Sequence, residues 1–260
     1  LNRTVVDADQ VVVLAGRRFD SLLGYSGAEG AIYPSLSDEE THKEMAGKLS
    51  MAVPGEKPWP PLREAAEVAW LLGAPFMVHC IEAPDDKLFH VVAGTADTSA
   101  ESVRLLNARW RVEVDQPADL VIAGIGAHAG PGSFLAMATG LGAASRVVKP
   151  DGRIVLLCNS HPHLPSATET LRQSDSPALA LKKLRDSPDL AGTGAFLWVS
   201  AAQRARLYIL SGLGPDVVEE MFATPLENAG QVERLLGTSA SCILLPNADK
   251  TMAVARTTEN

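Results

Sequence analysis

The chain has 260 residues, 46% of them hydrophobic and 5% aromatic, enough to bury one large core or two modest ones built mainly from aliphatic side chains. Its 31 acidic against 23 basic side chains leave a formal charge of -8, with no Lys/Arg stripe carrying interleaved aromatics, so nucleic acid is excluded as an expected partner. No apolar run approaches the roughly 20 residues of a membrane helix and no basic-then-apolar leader opens the chain, so a cytoplasmic protein without membrane contact is expected.

The start at Leu1-Asn2-Arg3, rather than at Met, reads as a trimmed chain. A strand over Val11 to Leu14 leads into the glycine-rich loop Gly24-Tyr25-Ser26-Gly27. A helix from about Asp38 to Leu49 follows, with Ser37 and Glu40 spaced as a capping box. Beyond the connection Pro54 to Pro61, apolar residues at Ala65, Val68, Ala69 and Leu72 mark the core face of a helix that Gly73 ends. Phe76 to Ile81 and Leu88 to Val92 flank the turn-forming Pro84-Asp85-Asp86 and read as neighbouring antiparallel strands. They carry His79 and His90, for which the commoner role on a buried strand is that of a hydrogen-bonded core residue. Thr98 with Glu101 predicts another helix cap, and Trp110 to Val114 an extended exit toward Pro117.

After that point the pattern alternates strand and helix. Strand Leu120 to Ile125, a small-residue helix from about Ser133 to Arg146, the turn Asp151-Gly152 and strand Ile154 to Cys158 make a β-α-β unit. Two further buried strands fall at Leu207 to Leu210 and Cys242 to Leu245, with Pro215 and Pro225 each placed to start a helix. Four apolar strands alternating with helices predict a parallel sheet covered on both faces. The expected fold is therefore α/β in two units: a partial mixed α/β domain of catalytic type over residues 1–112 and a Rossmann-like parallel-sheet domain over 113–260. Cys80, Cys158 and Cys242 sit in separate apolar runs without a C-x-x-C pair, as buried reduced thiols do.

Gly124-x-Gly126-x-x-x-Gly130 lies between a strand and a helix, where a dinucleotide fingerprint would lie. Its third glycine is one residue late, and Asn159 and Ser160 stand where the ribose-binding acid belongs. A nicotinamide-dependent oxidoreductase is accordingly a distant alternative. His128 follows one strand of the β-α-β unit and His161 and His163 follow the other, so all three leave the carboxyl edge of the sheet. They are candidate ligands for a borderline metal such as zinc or nickel, against the plainer role of solvated loop residues.

Several motifs in order resemble one family. They are the opening LNRTVVDADQVVVLAG, the GYSG loop followed by Ile32-Tyr33-Pro34 and Glu40-Thr41, Val91-Val92-Ala93-Gly94, Ala118-Asp119-Leu120-Val121-Ile122, Val148 through Ile154, and Leu207-Tyr208-Ile209-Leu210-Ser211. Together they are similar to the catalytic and C-terminal domains of the nickel-pincer lactate racemases. The family's N-terminal stretch, with an active-site arginine, would lie before Leu1. The resemblance implies a two-domain enzyme with its site in an interdomain cleft. There, nickel on a nicotinate-derived pincer takes a hydride from the α-carbon of a 2-hydroxy acid, a histidine removes the hydroxyl proton, and return of the hydride to either face inverts the centre.

The resemblance also carries departures. The family lysine that holds the cofactor as a thioamide falls on Gly30, so the nickel-pincer nucleotide is implied by the family but lacks its anchor. One family histidine falls on Asp20 and another on about Ala46, while the substrate-contacting Gln and Lys fall on Ala136 and Thr139. Remaining candidates for catalysis are Asp20 and His42, the latter one helical turn before Ala46. Candidates for cofactor or anion binding are Gly24, Tyr25, Ser26 and Gly27, whose loop has a nest-like arrangement of amides. Two readings follow: a divergent racemase or epimerase of a 2-hydroxy acid, narrowly preferred on the resemblance, or a catalytically inactive paralogue that binds a small anionic ligand in the cleft.

Overall fold

A computed structural model describes residues 1–55, 57–73, 75–84, 87–95, 97–126 and 134–256. The chain divides into two compact units, the first comprising Leu1–Arg111 with Pro188–Leu190, the second Val112–Ser187 with the chain from Ala191 onward.

Unit 1 holds α1 (Arg3–Val6), β1 (Val12–Gly16), β2 (Arg18–Asp20), β3 (Gly24–Ser26), α2 (Ala28–Ile32), α3 (Glu39–Ala46), α4 (Pro60–Leu71), β4 (Phe76–Glu82), β5 (Leu88–Gly94) and α5 (Thr98–Trp110). Its main sheet has the order β1-β4-β5, with β1 parallel to β4 and β5 antiparallel to β4, as the apolar runs on either side of Pro84 predict. Alternation along β4 turns Met77, His79 and Ile81 inward. Met77 packs with Ala28, Ile32 and Ala69 from α2 and α4, while Ile81 packs with Leu22, Tyr25, Met45 and Trp110. Two short strands, β2 and β3, pair antiparallel and present the GYSG loop. Pro60 and Pro61 open α4 at its first positions, where the missing N–H costs no helical bond, and Gly73 at φ +97 terminates it in the left-handed region that glycine occupies freely.

In unit 2 lie β6 (Arg111–Val114), β7 (Ala118–Gly124), α6 (Phe134–Ser145), β8 (Val148–Leu157), α7 (Thr168–Arg172), α8 (Pro177–Asp186), α9 (Thr193–Arg204), β9 (Arg206–Leu210), α10 (Pro215–Glu220), β10 (Ala223–Pro225), α11 (Ala229–Gly237), β11 (Cys242–Pro246) and β12 (Met252–Ala255). Five strands form an all-parallel sheet of order β10-β9-β8-β7-β11, and β12 pairs with β6 apart from it. The central strands β7, β8 and β9 are mostly enclosed and read as continuous aliphatic runs, whereas edge strand β11, expected to be buried, leaves Leu244 67% exposed. α6 is apolar on every side (FLAMATGLGAAS) and nearly all of it is buried, since a helix without a polar face must be enclosed. Trp198 of α9 is fully buried, stacks on Phe134 with centroids 5.3 Å apart, and donates its indole N–H to the Met221 carbonyl at 2.8 Å.

The structure corrects several local expectations. α3 is capped by Asp38, whose carboxylate accepts the Thr41 N–H at 2.9 Å, so the Ser37/Glu40 box does not form. At α5, Thr98 donates its hydroxyl to the Thr95 carbonyl and Glu101 pairs with Arg104, so that box is absent too. Pro225 closes β10 instead of starting a helix; α11 begins at Ala229 behind Asn228, whose side chain accepts the Gln231 N–H. The Asp151-Gly152 turn is an irregularity inside the long β8, with Asp151 at φ 58. β10 brings the parallel strands from four to five. In β5, the expected core strand is largely exposed, His90 included, whereas His79 is fully buried as expected. The three cysteines are free, but only Cys158 is buried; Cys80 and Cys242 are half-buried. Among the described residues, no helix is long and apolar enough to cross a membrane.

The cap assignment can be checked by thermal unfolding. Asp38→Ala should cost about 1 kcal/mol. Ser37→Ala should be neutral or slightly stabilising, because the buried Ser37 hydroxyl has no hydrogen-bond partner. The reverse order of effects would restore the Ser37 cap.

Candidate functional site

The densest polar chemistry in unit 1 lies beneath the GYSG loop. β1 ends at Gly16 and the ladder to β4 continues for one residue, the Arg17 N–H reaching the Cys80 carbonyl at 2.8 Å. This places the Arg17 side chain inside the unit, where it is 0% exposed. A guanidinium cannot shed its proton there, so every donor direction must find an acceptor. Nε donates to Ser102 Oγ at 2.9 Å and Nη1 to the Ser26 carbonyl at 3.0 Å. Nη2 meets the Glu29 carboxylate at 3.1 and 3.2 Å, Ser99 Oγ at 3.2 Å and the His79 ring at 3.1 Å from Nδ1 and 3.2 Å from Nε2. The Ala28 N–H also points at His79 Nδ1, at 3.5 Å, so this ring nitrogen faces donors from both Arg17 and the backbone. Glu29 and His79 are as buried as Arg17.

Electrostatics follow from this geometry. Burial by itself would raise the Glu29 pKa, but the Arg17 charge and hydrogen bonds from Ser99 and its own backbone N–H prevail and hold it lowered, as a carboxylate. For His79, burial and then the Arg17 charge depress the pKa to about 4, against a smaller opposing pull from Glu29. The cluster is thus a guanidinium–carboxylate pair with a neutral imidazole at its side.

This network decides what the loop residues do. A Cβ at Gly27 would lie 2.5 Å from the Arg17 guanidinium carbon, so glycine is required there by close approach. Gly24 needs its φ of +79, and a side chain would also press on Pro54 and Trp59. Tyr25 is buried in the core, its hydroxyl exchanging hydrogen bonds with the Asn107 amide at 3.0 and 3.3 Å. Ser26 turns its hydroxyl to the Arg18 carbonyl at 3.4 Å. Asp20 accepts the Leu22 and Leu23 N–H groups at 2.8 and 2.7 Å; burial raises its pKa against those two bonds. His42 Nε2 contacts the Pro34 carbonyl at 2.8 Å, tying α3 to the segment after α2. Each sequence-predicted residue of the loop region is therefore placed, and each is engaged in a local structural bond.

Gly30 lies in α2 and is enclosed. A Cβ there would stand 2.6 Å from Leu23 Cδ1, and its carbonyl accepts the Ser35 hydroxyl at 2.7 Å. Lys43 and Lys48 are the two lysines between residues 19 and 49. Lys43 is paired with Glu39 at 2.6 Å, and Lys48 with Glu44 at 2.9 Å and Glu64 at 3.2 Å, contacts that raise both lysine pKa values. Ala46 is buried in α3.

Of the histidine trio, His128 lies outside the described residues, as do Gly130 and the rest of 127–133. His161 and His163 are exposed, and the His161 ring lies over Gly212, where a Cβ would be 2.4 Å from Nδ1. Among the described residues no group of three or more His, Cys, Asp or Glu side chains is arranged to hold a metal.

With this geometry the chain superposes on the lactate racemase apoprotein from Thermoanaerobacterium thermosaccharolyticum with a TM-score of 0.82, over 99% of this chain and 65% of that one. The chain has the lactate racemase fold. Sequence identity in that superposition is 17%. A protein from Thermotoga maritima matches with a TM-score of 0.69 and 12% identity, over 98% of this chain and 69% of that one. No family model and no curated protein matches the sequence. The chain spans just under two thirds of the lactate racemase apoprotein, so the lactate racemase fold is shared in part of its length and the likeness lies in the backbone.

Arg17 and Glu29 were not singled out by the sequence, and His79 was read only as core. Arg17 follows an apolar run beside a second arginine, and Arg18 is exposed and paired with Glu82, so the doublet carries no sign of which member is buried.

The cluster gives acid stability a defined slope. His79, lowered to about 4 from 6.5, contributes stability fully present above pH 6.5 and lost as pH falls toward 4; Glu29, lowered from 4.5, adds loss below pH 4.5. Unfolding midpoints measured from pH 7 to 4 should fall by up to about 3 kcal/mol equivalent from His79. A His79→Gln variant should flatten the slope between pH 6.5 and 4, and an unchanged slope would contradict the assignment.

Proposed function

We propose that this chain is a relative of lactate racemase that does not racemise through a covalently held pincer cofactor and acts instead by recognising a small anionic ligand. The observation that carries this reading is Gly30. By the resemblance, it occupies the place of the cofactor-bearing lysine, yet it offers no side chain, and Leu23 fills the space a Cβ would enter. The residues present do not fit the covalent nickel-pincer nucleotide. Lys43 and Lys48 do not substitute, since both are held as ammonium groups by carboxylates.

The chemistry of the surrounding loop points the same way. A proton-transfer residue must have a ring nitrogen or carboxylate oxygen available to substrate. Asp20 and His42 instead hold backbone groups of their own neighbourhood, and His79 is enclosed with Arg17. A second reading, a divergent racemase or epimerase of a 2-hydroxy acid holding the cofactor without the covalent link, is supported by the backbone likeness alone.

The test uses protein purified from its own cells. Peptide mass mapping across residues 19 to 49 should return unmodified peptide. Native mass spectrometry should show neither nickel nor an organic adduct, and D- and L-lactate should not interconvert above the buffer rate. An adduct on that peptide would overturn the reading. A non-covalent nickel-bearing adduct with turnover would establish the second.

A further inference from the structure

The amino edge of the parallel sheet in unit 2 carries an arrangement that neither the fold nor the racemase resemblance explains. Arg153 of β8 and Arg206 of β9 are direct ladder partners, so two guanidinium-bearing side chains leave adjoining strands side by side. Like charges in directly opposed positions are destabilising unless something of opposite charge lies between them. Among the described residues, neither arginine has a carboxylate partner. Arg153 donates to Thr238 Oγ1 at 2.9 Å, the Thr238 carbonyl at 3.0 Å and Ser239 Oγ at 2.8 Å, all neutral acceptors, and Arg206 makes a long contact of 3.4 Å to the Asp151 carbonyl.

Both arginines line one cavity of about 340 Å³, together with Lys149, Asp119 and Asp151. Lys149 is answered by Asp119 at 2.9 Å, which cancels that pair. The remaining charges are two arginines against the single carboxylate of Asp151, a net positive cavity on a chain of formal charge -8. Guanidinium N–H groups recognise phosphate oxygens. The Thr238 and Ser239 hydroxyls already donate to carbonyls of α11 and accept from Arg153, so the donors left for a ligand are Arg206 and the uncommitted N–H groups of Arg153. The volume lies at the lower end of small-ligand sites, enough for a phosphoryl group with a small substituent.

We propose that this cavity binds a phosphoryl dianion, as free phosphate or as the phosphate of a small ester, between Arg153 and Arg206. The proposal does not rest on the reading of unit 1, because every residue it uses belongs to unit 2. A purely structural role is the competing account: Arg153 satisfies the Thr238 carbonyl just past the end of α11, and a cation is favoured at a helix carboxyl end. Arg206 separates the two.

The experiment follows the thermal midpoint and the binding isotherm of the 260-residue chain in inorganic phosphate and in glycerol 2-phosphate, at constant ionic strength set with chloride. Wild type should show a saturable rise in midpoint. Arg206→Gln should weaken binding at least ten-fold while raising the phosphate-free midpoint, since the like-charge neighbour is gone. Asp151→Asn should tighten binding several-fold by removing the opposing carboxylate. A tighter response to the ester than to the free ion would assign the site to an esterified phosphate, and the reverse order to phosphate itself. No saturable response in wild type, or equal responses in wild type and Arg206→Gln, would overturn the proposal.

Discussion

A guanidinium sealed from water has to be met by acceptors on the protein's own atoms, and in unit 1 that requirement joins segments far apart in sequence. Arg17 reaches Ser26 and Glu29 around the GYSG loop, His79 in the centre of β4, and Ser99 and Ser102 on the first turns of α5. Leaving any of these groups unpaired would expose the full desolvation cost of a buried charge. The network therefore specifies one arrangement of loop, strand and helix, and the apolar contacts around Met77 and Ile81 fill in the rest.

That constraint bears on function. In the proposed reading, the cofactor expected from the family resemblance would have been anchored just after the GYSG loop, at Gly30. Here the loop's glycines admit the Arg17 side chain at Gly27 and the turn at Gly24, its tyrosine is core, and Gly30 packs under Leu23. The loop's shape is fixed by these contacts, and its polar groups answer one another.

Much of the fold was legible because its signals are local. Aliphatic runs in β7, β8, β9 and β11 announce a buried parallel sheet, Gly73 ends α4 through its positive φ, and the pairing of β4 with β5 follows from two apolar runs around a turn. Caps were misread where adjacent polar residues offer alternative starts: the helix begins at Glu39, so Asp38 is the extended residue before it and accepts the Thr41 N–H, one position later than a Ser37/Glu40 box requires. Pro225 sits as well at the end of an edge strand as at a helix start, and only tertiary pairing with β9 decides. The candidate site was the least legible part. Arg17, Glu29, His79 and Ser102 are distant in sequence and converge only through the packing of β1, β4, α2 and α5, which no periodicity reveals.

The central claim, that unit 1 is organised by the buried Arg17–Glu29 pair, is tested most directly by a double-mutant cycle in urea with Arg17→Met and Glu29→Gln. Each single variant should lose about 3–5 kcal/mol, because each leaves a buried partner unanswered. The double variant should lose clearly less than the sum of the two, giving a coupling energy of at least about 1 kcal/mol. Additive losses, or a small cost for either single substitution, would contradict the account.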